Sequence, residues 1–290
     1  MMPARFIVIV LAGLIAAIFI GGCATLPPAP PQPEISALRP AKFGELADLY
    51  SKITDRYGPG QSGFLHLEPH FIQDHPVTFD GAEHRLSDML LYLAEPSHTE
   101  LIMATPYLIP VNGFLDDLAK LSSDGVNIRI VTGSMGSNNH TVAHSHYKKY
   151  RRRILRTGAE LYEFRHDPPP ETREVSDVPP VRAKFISLHN KALAGDRQRC
   201  FIGSLNLDPR AIEINTENGL YMQSPELCGE MADLLKGLMT PDNAWRVFVD
   251  ENDTLYWESS TGRVSIQPAR RFWQRVADFF YRLIPIESQL

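Results

Sequence analysis

Residues Ser187 to Asp196 read Ser-Leu-His-Asn-Lys-Ala-Leu-Ala-Gly-Asp, and Phe201 to Asn206 read Phe-Ile-Gly-Ser-Leu-Asn. His189 and Lys191 are two positions apart. On an extended strand, side chains two apart share a face. An imidazole and an ammonium would then point into one small volume. That pair suits a phosphodiester, whose negative oxygens repel nucleophiles and whose leaving group is a poor alkoxide. A neutral His189 can attack phosphorus, and Lys191 can neutralise the non-bridging oxygens. Ser204 and Asn206 repeat the two-residue spacing and can donate hydrogen bonds to the same oxygens. A histidine nucleophile needs its second ring nitrogen held by an acceptor. Glu217, in Asn215-Thr-Glu217, is the candidate for that role. Asp196 falls at a turn, where a carboxylate holds backbone more readily than it meets substrate. The combined pattern, rather than any single residue in it, carries the signal.

The elements around this pattern alternate between helix and strand. Helical readings cover 85–94, 114–121, 142–157, 225–239 and 270–284. Strand readings cover 100–105, 127–132, 160–164, 187–195, 199–204 and 218–223. Asp250-Glu-Asn-Asp253 marks a turn between two β-rich halves of 245–258, and Gly195-Asp-Arg-Gln198 a hairpin turn. The prolines of 167–180 predict an exposed loop, and 64–80 show no clear period. Such alternation implies an α/β layered fold, a mixed β-sheet flanked by helices.

His189, Lys191 and Asp196, with Gly203-Ser-Leu-Asn206 after them, resemble the HKD signature of the phospholipase D superfamily. The similarity is greatest to bacterial cardiolipin synthases of the C type. It extends through Leu101-Ile-Met-Ala-Thr-Pro-Tyr-Leu-Ile-Pro110, Tyr147-Lys-Lys-Tyr-Arg151, Gly158-Ala-Glu-Leu-Tyr-Glu163 and Asn215-Thr-Glu217. The resemblance covers residues 77–290 and implies a phospholipase D-like fold. It also implies phosphatidyl transfer, to a lipid hydroxyl or to water, through a phosphohistidine at His189. Lys191, Ser204 and Asn206 would bind phosphate, Asp196 would belong to the catalytic signature, and Glu217 would orient the histidine. No cofactor and no metal is implied.

One departure matters. Members of that type carry two such motifs per chain, and their two histidines act as nucleophile and acid. This sequence holds one. His146-Tyr-Lys148 begins like a motif but lacks the Asp and the Gly-Ser-x-Asn. The expectation is a homodimer, or a second chain carrying the missing motif. Two other readings stand beside it: a dimeric phosphodiesterase acting on nucleic acid, and a non-catalytic, truncated accessory lipoprotein. The net charge of −5 argues against a nucleic-acid partner.

The first residues set an address. Phe6–Ile20 is an apolar run after Arg5, followed by Gly21-Gly-Cys23-Ala24. It is short for a membrane span and fits a signal peptide over 1–22. Small residues before Cys23 resemble a lipobox, so the expected state is lipidation of Cys23. Ala24 then implies the outer membrane, facing the periplasm. Residues 23–76 form a tether and leader, rich in proline up to Pro40, with a short helix over 43–57. Cys200 and Cys228 could pair in an exported protein, which the sequence alone does not decide; separate burial of the two thiols is the blander expectation. His140, His144 and His146 lack further ligands for a metal, and His146 and Tyr147 are candidates to line a headgroup pocket. The basic run Lys148–Arg156 can serve as an anion patch or as a solvated face. The aromatic residues of 270–284 are expected in the core rather than on a membrane. The absent half predicts an exposed apolar patch.

Overall fold

A computed structural model describes residues 70–73, 94, 96–111, 113–177 and 182–290. The expected signal peptide, Cys23, the Pro-rich tether and the helix at 43–57 lie outside these residues. So does the helix read at 85–94, save Ala94.

Among the described residues, the strands are β1 (His70–Gln73), β2 (Glu100–Ala104), β3 (Asn127–Gly133), β4 (Glu160–Phe164), β5 (Ala192–Gly195), β6 (Arg199–Gly203), β7 (Asn218–Gln223), β8 (Ala244–Val249), β9 (Leu255–Ser259) and β10 (Gly262–Val264). They form one mixed sheet in the order β1-β7-β6-β5-β2-β3-β4-β8-β9-β10. β2, β3 and β4 run parallel, and every other neighbouring pair is antiparallel. The helices are α1 (Phe114–Ser123), α2 (Thr141–Tyr147), α3 (Arg151–Arg156), α4 (Pro170–Ser176), α5 (Pro209–Glu213), α6 (Pro225–Gly237) and α7 (Phe272–Tyr281), with a final 3-10 turn at Glu287–Gln289.

β2 shows why the centre holds. Its run Leu-Ile-Met-Ala is apolar without alternation, as a strand buried on both faces requires. Leu101 and Met103 join one core with Ile128, Ile130, Leu161 and Ile154. Ile102 and Ala104 join a second with Val131, Ala194 and the α6 residues Ala232 and Leu235. The fold is therefore the expected layered α/β fold, with helical cover on both sides of the central strands.

Several expectations are corrected. The long helix at 142–157 is two helices. At the break, Lys149 N bonds His146 O at 3.1 Å and Tyr150 N bonds Tyr147 O at 2.9 Å, both one residue tighter than α-helix. Lys148 there reaches Asp278, while Lys149 and Tyr150 reach Glu287. The 167–180 loop contains α4, whose Pro170 sits at the helix start, where a preset φ favours the turn. β1 pairs with β7 at the sheet edge within a stretch that shows no period. The motif strand is shorter than 187–195. It begins at Ala192, so His189 and Lys191 lie in the approach to it.

Cys200 and Cys228 form a disulfide, which corrects the expectation of separate thiols. β6 and the first turns of α6 bring their Cα atoms to 5.3 Å, inside disulfide range. Both cysteines are fully buried. The bridge spans a sequence separation of 28. Closing such a loop restricts the unfolded chain by roughly 3–4 kcal/mol. Dithiothreitol, or Cys200→Ser with Cys228→Ser, should lower the melting temperature while leaving the far-ultraviolet spectrum below the transition unchanged. Thermal scans with and without reductant check this.

Candidate active site

Strand register gathers the candidates. Ala104 at the end of β2 faces Ala192 at the start of β5. Ala192 faces Ile202 near the end of β6, and Ile202 faces Leu220 near the start of β7. Whatever follows β2 and β6, and whatever precedes β5 and β7, therefore lies along one edge of the sheet. Those segments carry Tyr107, then Ser204 and Asn206, then His189 and Lys191, then Glu217. The chain after β2 also runs beside the chain after β6. Leu108 pairs with Leu207, and Ile109 N bonds Leu207 O at 2.7 Å.

Two glycines permit the close approach of β6 and β7. Gly203 and Gly219 are register partners, and the Phe201 ring lies across both. A Cβ on Gly203 would meet Asn218 O at 2.3 Å, and one on Gly219 would meet the Phe201 ring at 2.2 Å. Any side chain here would displace the strand ends that carry Ser204 and Glu217.

Each polar group is then placed. His189 is exposed, and Lys191 is half-buried. Lys191 Nζ donates to His189 O at 3.0 Å, and Gly203 N to Lys191 O at 3.0 Å. Partial burial holds the His189 pKa below its ordinary 6.5, with Lys191 and then His140 adding to the effect. Burial also lowers Lys191, opposed by the carboxylates of Glu217 and Asp208. Glu217 is buried. It accepts from the Ser204 hydroxyl and, at 3.0 Å, from Asn215 Nδ2. The Ser204 hydroxyl also accepts from Asn218 N at 3.0 Å. It can also donate to Asn218 O at 3.3 Å, so Ser204 links the end of β6 to Glu217 and to the start of β7. The Oδ1 of Asn206 is buried without a hydrogen-bond partner.

Asp196 is elsewhere. It sits at the opposite end of β5, roughly 16 Å along the chain from Lys191 at strand rise. Asp196 and Arg197 have φ of 52° and 58°, the left-handed pair of a tight hairpin turn. Its carboxylate accepts from His98 N, Thr99 N and Thr99 Oγ1 at 2.8, 2.8 and 2.7 Å, and from Glu100 N at 3.0 Å. Burial alone would raise its pKa. The bonds from Glu100, His98 and Thr99 outweigh this and bring it to about 2. Asp196 ties the β5–β6 turn to the start of β2, at the far end of β5 from His189 and Lys191.

Two neighbours were missed from sequence as parts of this edge. Asp208 is buried and caps α5 through Ala211 N at 2.8 Å. Burial raises its pKa, and Glu217 adds to the rise. Tyr107 donates to Asn139 Oδ1 at 2.9 Å, and its ring meets His140 edge-on at 5.5 Å. The place of Tyr107 along this edge depends on pairing between residues about a hundred positions apart, Leu108 with Leu207.

The family described as "Cardiolipin synthase, PLD-like domain" matches residues 90–239, the span that holds this whole edge. The chain belongs to that family. Cardiolipin synthase C of Escherichia coli (strain K12) is 30% identical over 227 residues, covering 74% of this chain and 47% of the relative. Cardiolipin synthase B of the same strain is 23% identical over 168 residues, covering 57% of this chain and 36% of the relative. The chain thus spans about half the length, or less, of these curated relatives. Among solved structures, phosphatidylserine synthase of Haemophilus influenzae Rd KW20 gives a TM-score of 0.49 at 15% identity, covering 77% of this chain and 48% of that one. The phospholipase D family member Nuc from Salmonella typhimurium gives 0.42 at 16%, covering 59% and 93%. Family membership rests on the sequence matches.

Within this PLD-like domain, the remaining polar candidates have structural places. His146 and Tyr147 are buried, which corrects their expected place in a headgroup pocket. His146 Nδ1 lies 3.0 Å from Glu287 Oε2, and Tyr147 donates to Glu163 Oε1 at 3.0 Å. His144 Nδ1 lies 3.2 Å from Asp278 Oδ1, and burial lowers the His144 pKa. Among the described residues, no group of three or more His, Cys, Asp or Glu could hold a metal ion. Most of the basic run is matched internally. Arg151 pairs with Glu163 at 2.5 Å, and Arg152 and Arg156 with Asp253 at 3.1 and 3.3 Å.

Two outcomes are expected. A proton-NMR titration of His189 should give a midpoint below 6.5, so the neutral imidazole persists where an ordinary histidine is half protonated. Lys191→Met should move that midpoint upward, because a cationic neighbour is gone. Asp196→Asn should lower stability at neutral pH by on the order of 1–2 kcal/mol, discounted for solvent screening. The Asp196 carboxylate's contribution is complete above its unfolded pKa near 3.9. It is lost as pH falls through the folded value of about 2. Urea melts of both proteins should therefore converge as the solution is acidified.

Proposed function

We propose that this chain transfers phosphatidyl groups between phospholipids, or to water, using the sheet edge at His189. The observation that carries the reading is the convergence of His189, Lys191, Asn206 and Glu217 within the matched PLD-like domain. A neutral imidazole at neutral pH is the form a nucleophile requires. The His189 ring nitrogen attacks phosphorus, the bond to the leaving oxygen breaks, and an acid protonates that oxygen. The acceptor hydroxyl then gives its proton to the same group and attacks phosphorus, breaking the phosphorus–nitrogen bond. Lys191 and the Asn206 amide stabilise the charge on the non-bridging oxygens, and Glu217 steadies the imidazole.

The acid in this reading is His189 of a second copy, or the equivalent histidine of a chain carrying the other motif. An isologous contact brings a residue near its own copy. Near the same strand ends, on the sheet face shared with Ala192, Ile202 and Leu220 are cross-strand partners left 46% and 37% exposed. An exposed apolar pair near a polar site supports a protein contact there. Export and lipidation at Cys23 belong to the same reading, and the Cys200–Cys228 bridge favours a compartment outside the reducing cytosol.

His189→Ala should reduce phosphatidyl transfer in phosphatidylglycerol vesicles by about 10³-fold or more, with an unchanged melting curve. Wild-type protein quenched with denaturant at mildly alkaline pH, where a phosphorus–nitrogen bond survives, should carry a phosphatidyl group on His189 by mass spectrometry. Retained transfer in the variant overturns the mechanism. Cleavage of DNA without turnover of the vesicles supports the phosphodiesterase reading. A strict monomer, inactive on both, supports an accessory lipoprotein.

A further inference from the structure

α7 is amphipathic in the wrong direction for a core helix. Asp278 is its buried residue, 2% exposed. It meets His144 Nδ1 at 3.2 Å and also takes the Lys148 ammonium. Gln274, one turn earlier, donates to Met135 O at 3.2 Å, and Arg275 donates to Gln267 O at 3.0 Å. The polar face is thus the packed one. The apolar residues follow the spacing of one helical stripe, Phe272, Val276, Phe279, Phe280 and Leu283, with Trp273 beside it. That stripe faces out: Trp273 is 74%, Phe272 67% and Leu283 63% exposed. This corrects the expectation that these aromatics belong to the core.

The surroundings of the stripe select its occupant. The acidic residues nearby face inward, Asp278 toward His144 and Glu287 toward His146 and Lys149. Exposed arginines stand at both ends: Arg271 at the N-cap and Arg282 at the C-cap. The first turn has no acidic residue and no side-chain cap, so its amide donors and Arg271 present one positive end. Aromatic and aliphatic residues between cations are the composition of a helix lying in a lipid interface. Ten residues give a helix about 15 Å long, too short to cross a bilayer. Nor does any helix among the described residues qualify as a membrane span. Antiparallel pairing of α7 with a second copy would set Arg271 against Arg282, like charge on like, which disfavours that occupant.

The start of α7 is also fastened to the rim of the candidate active site. Arg270 Nη2 donates to Asn138 O at 3.3 Å. The next two residues, Asn139 and His140, hold Tyr107 along the motif edge. We propose that the outward face of α7 seats on the surface of an anionic phospholipid bilayer, holding the site rim at headgroup level. The inference deepens the transfer reading, on which it rests only for the purpose of the contact.

The test reads Trp273 in the full chain reconstituted into phosphatidylglycerol vesicles, with or without bromine high on the acyl chains. Of the three tryptophans, Trp257 is buried in the sheet core and Trp245 packs against that core beneath Arg165, so the emission lost in Trp273→Phe identifies the component that belongs to the exposed indole. Brominated lipid should quench the wild-type emission and leave Trp273→Phe nearly unquenched. Phe279→Glu with Phe280→Glu, both on the solvent face, should keep the melting curve and lose most of the quenching. Phosphatidylcholine vesicles should quench less than phosphatidylglycerol ones. Absence of quenching, or equal quenching in Trp273→Phe, overturns the proposal. So does a blue shift of Trp273 that follows protein concentration without lipid, since a second copy then covers the face. His189→Ala should be quenched like the wild type. Quenching without any transfer activity leaves this surface standing and removes the transfer reading alone.

Discussion

The register of β2, β5, β6 and β7 is the constraint on which the candidate site depends. A one-residue slip in any of these pairs would turn alternate side chains to the other face and shift the segments carrying His189, Lys191 and Glu217 relative to one another. The two ends of this block are fixed by different means. At one end, the Asp196 carboxylate takes four hydrogen bonds from His98, Thr99 and Glu100, locking the β5–β6 turn to the start of β2. At the other, Gly203 and Gly219 let β6 and β7 close over the Phe201 ring. The disulfide then joins β6 to α6 behind the sheet. The third signature residue thus acts on geometry, through the strand that directly follows the other two.

Much of this was legible from sequence because it is local. The apolar run of β2, the turn at Gly195–Gln198 and the Pro225 helix start each follow from neighbours within a few residues. The motif residues were legible because their spacing is itself the signal. What escaped depends on contacts distant in sequence. The break between α2 and α3 is accompanied by bonds from Lys148, Lys149 and Tyr150 to Asp278 and Glu287, about 130 residues on. The Cys200–Cys228 pairing depends on how α6 docks against β6. Asp208 and Tyr107 have no pattern of their own and reach the site by packing. The direction of α7 was misread for a related reason: periodicity gives the stripe, and only the partner on the polar side shows which way it faces.

That partner is a buried charged network. His144, Lys148 and Asp278 join α2 to α7, while Arg151 and Glu163 extend the cluster to β4. Trp257 Nε1 and the Tyr147 hydroxyl complete the bonds of Glu163. Buried ions are tolerated when every charge is matched and hydrogen-bonded, and they then fix orientation more than they add stability. Here they hold α7 with its polar side down. An apolar replacement at Asp278 would remove the reason for that side to face inward.

The charges at the motif edge place a further condition on any phosphate that binds there. Lys191 is the cation, and Glu217 and Asp208 are both close enough to raise its pKa. Partial burial, Lys191 and His140 keep His189 toward its neutral form. One ammonium facing two carboxyl groups leaves little net positive potential for an anionic phosphodiester, even with the Asp208 pKa raised by burial. An oxyanion needs donors or cations in excess of the acids around it. Under the transfer reading, the deficit has a natural remedy: a second motif facing the first brings another lysine and another histidine to the same phosphate.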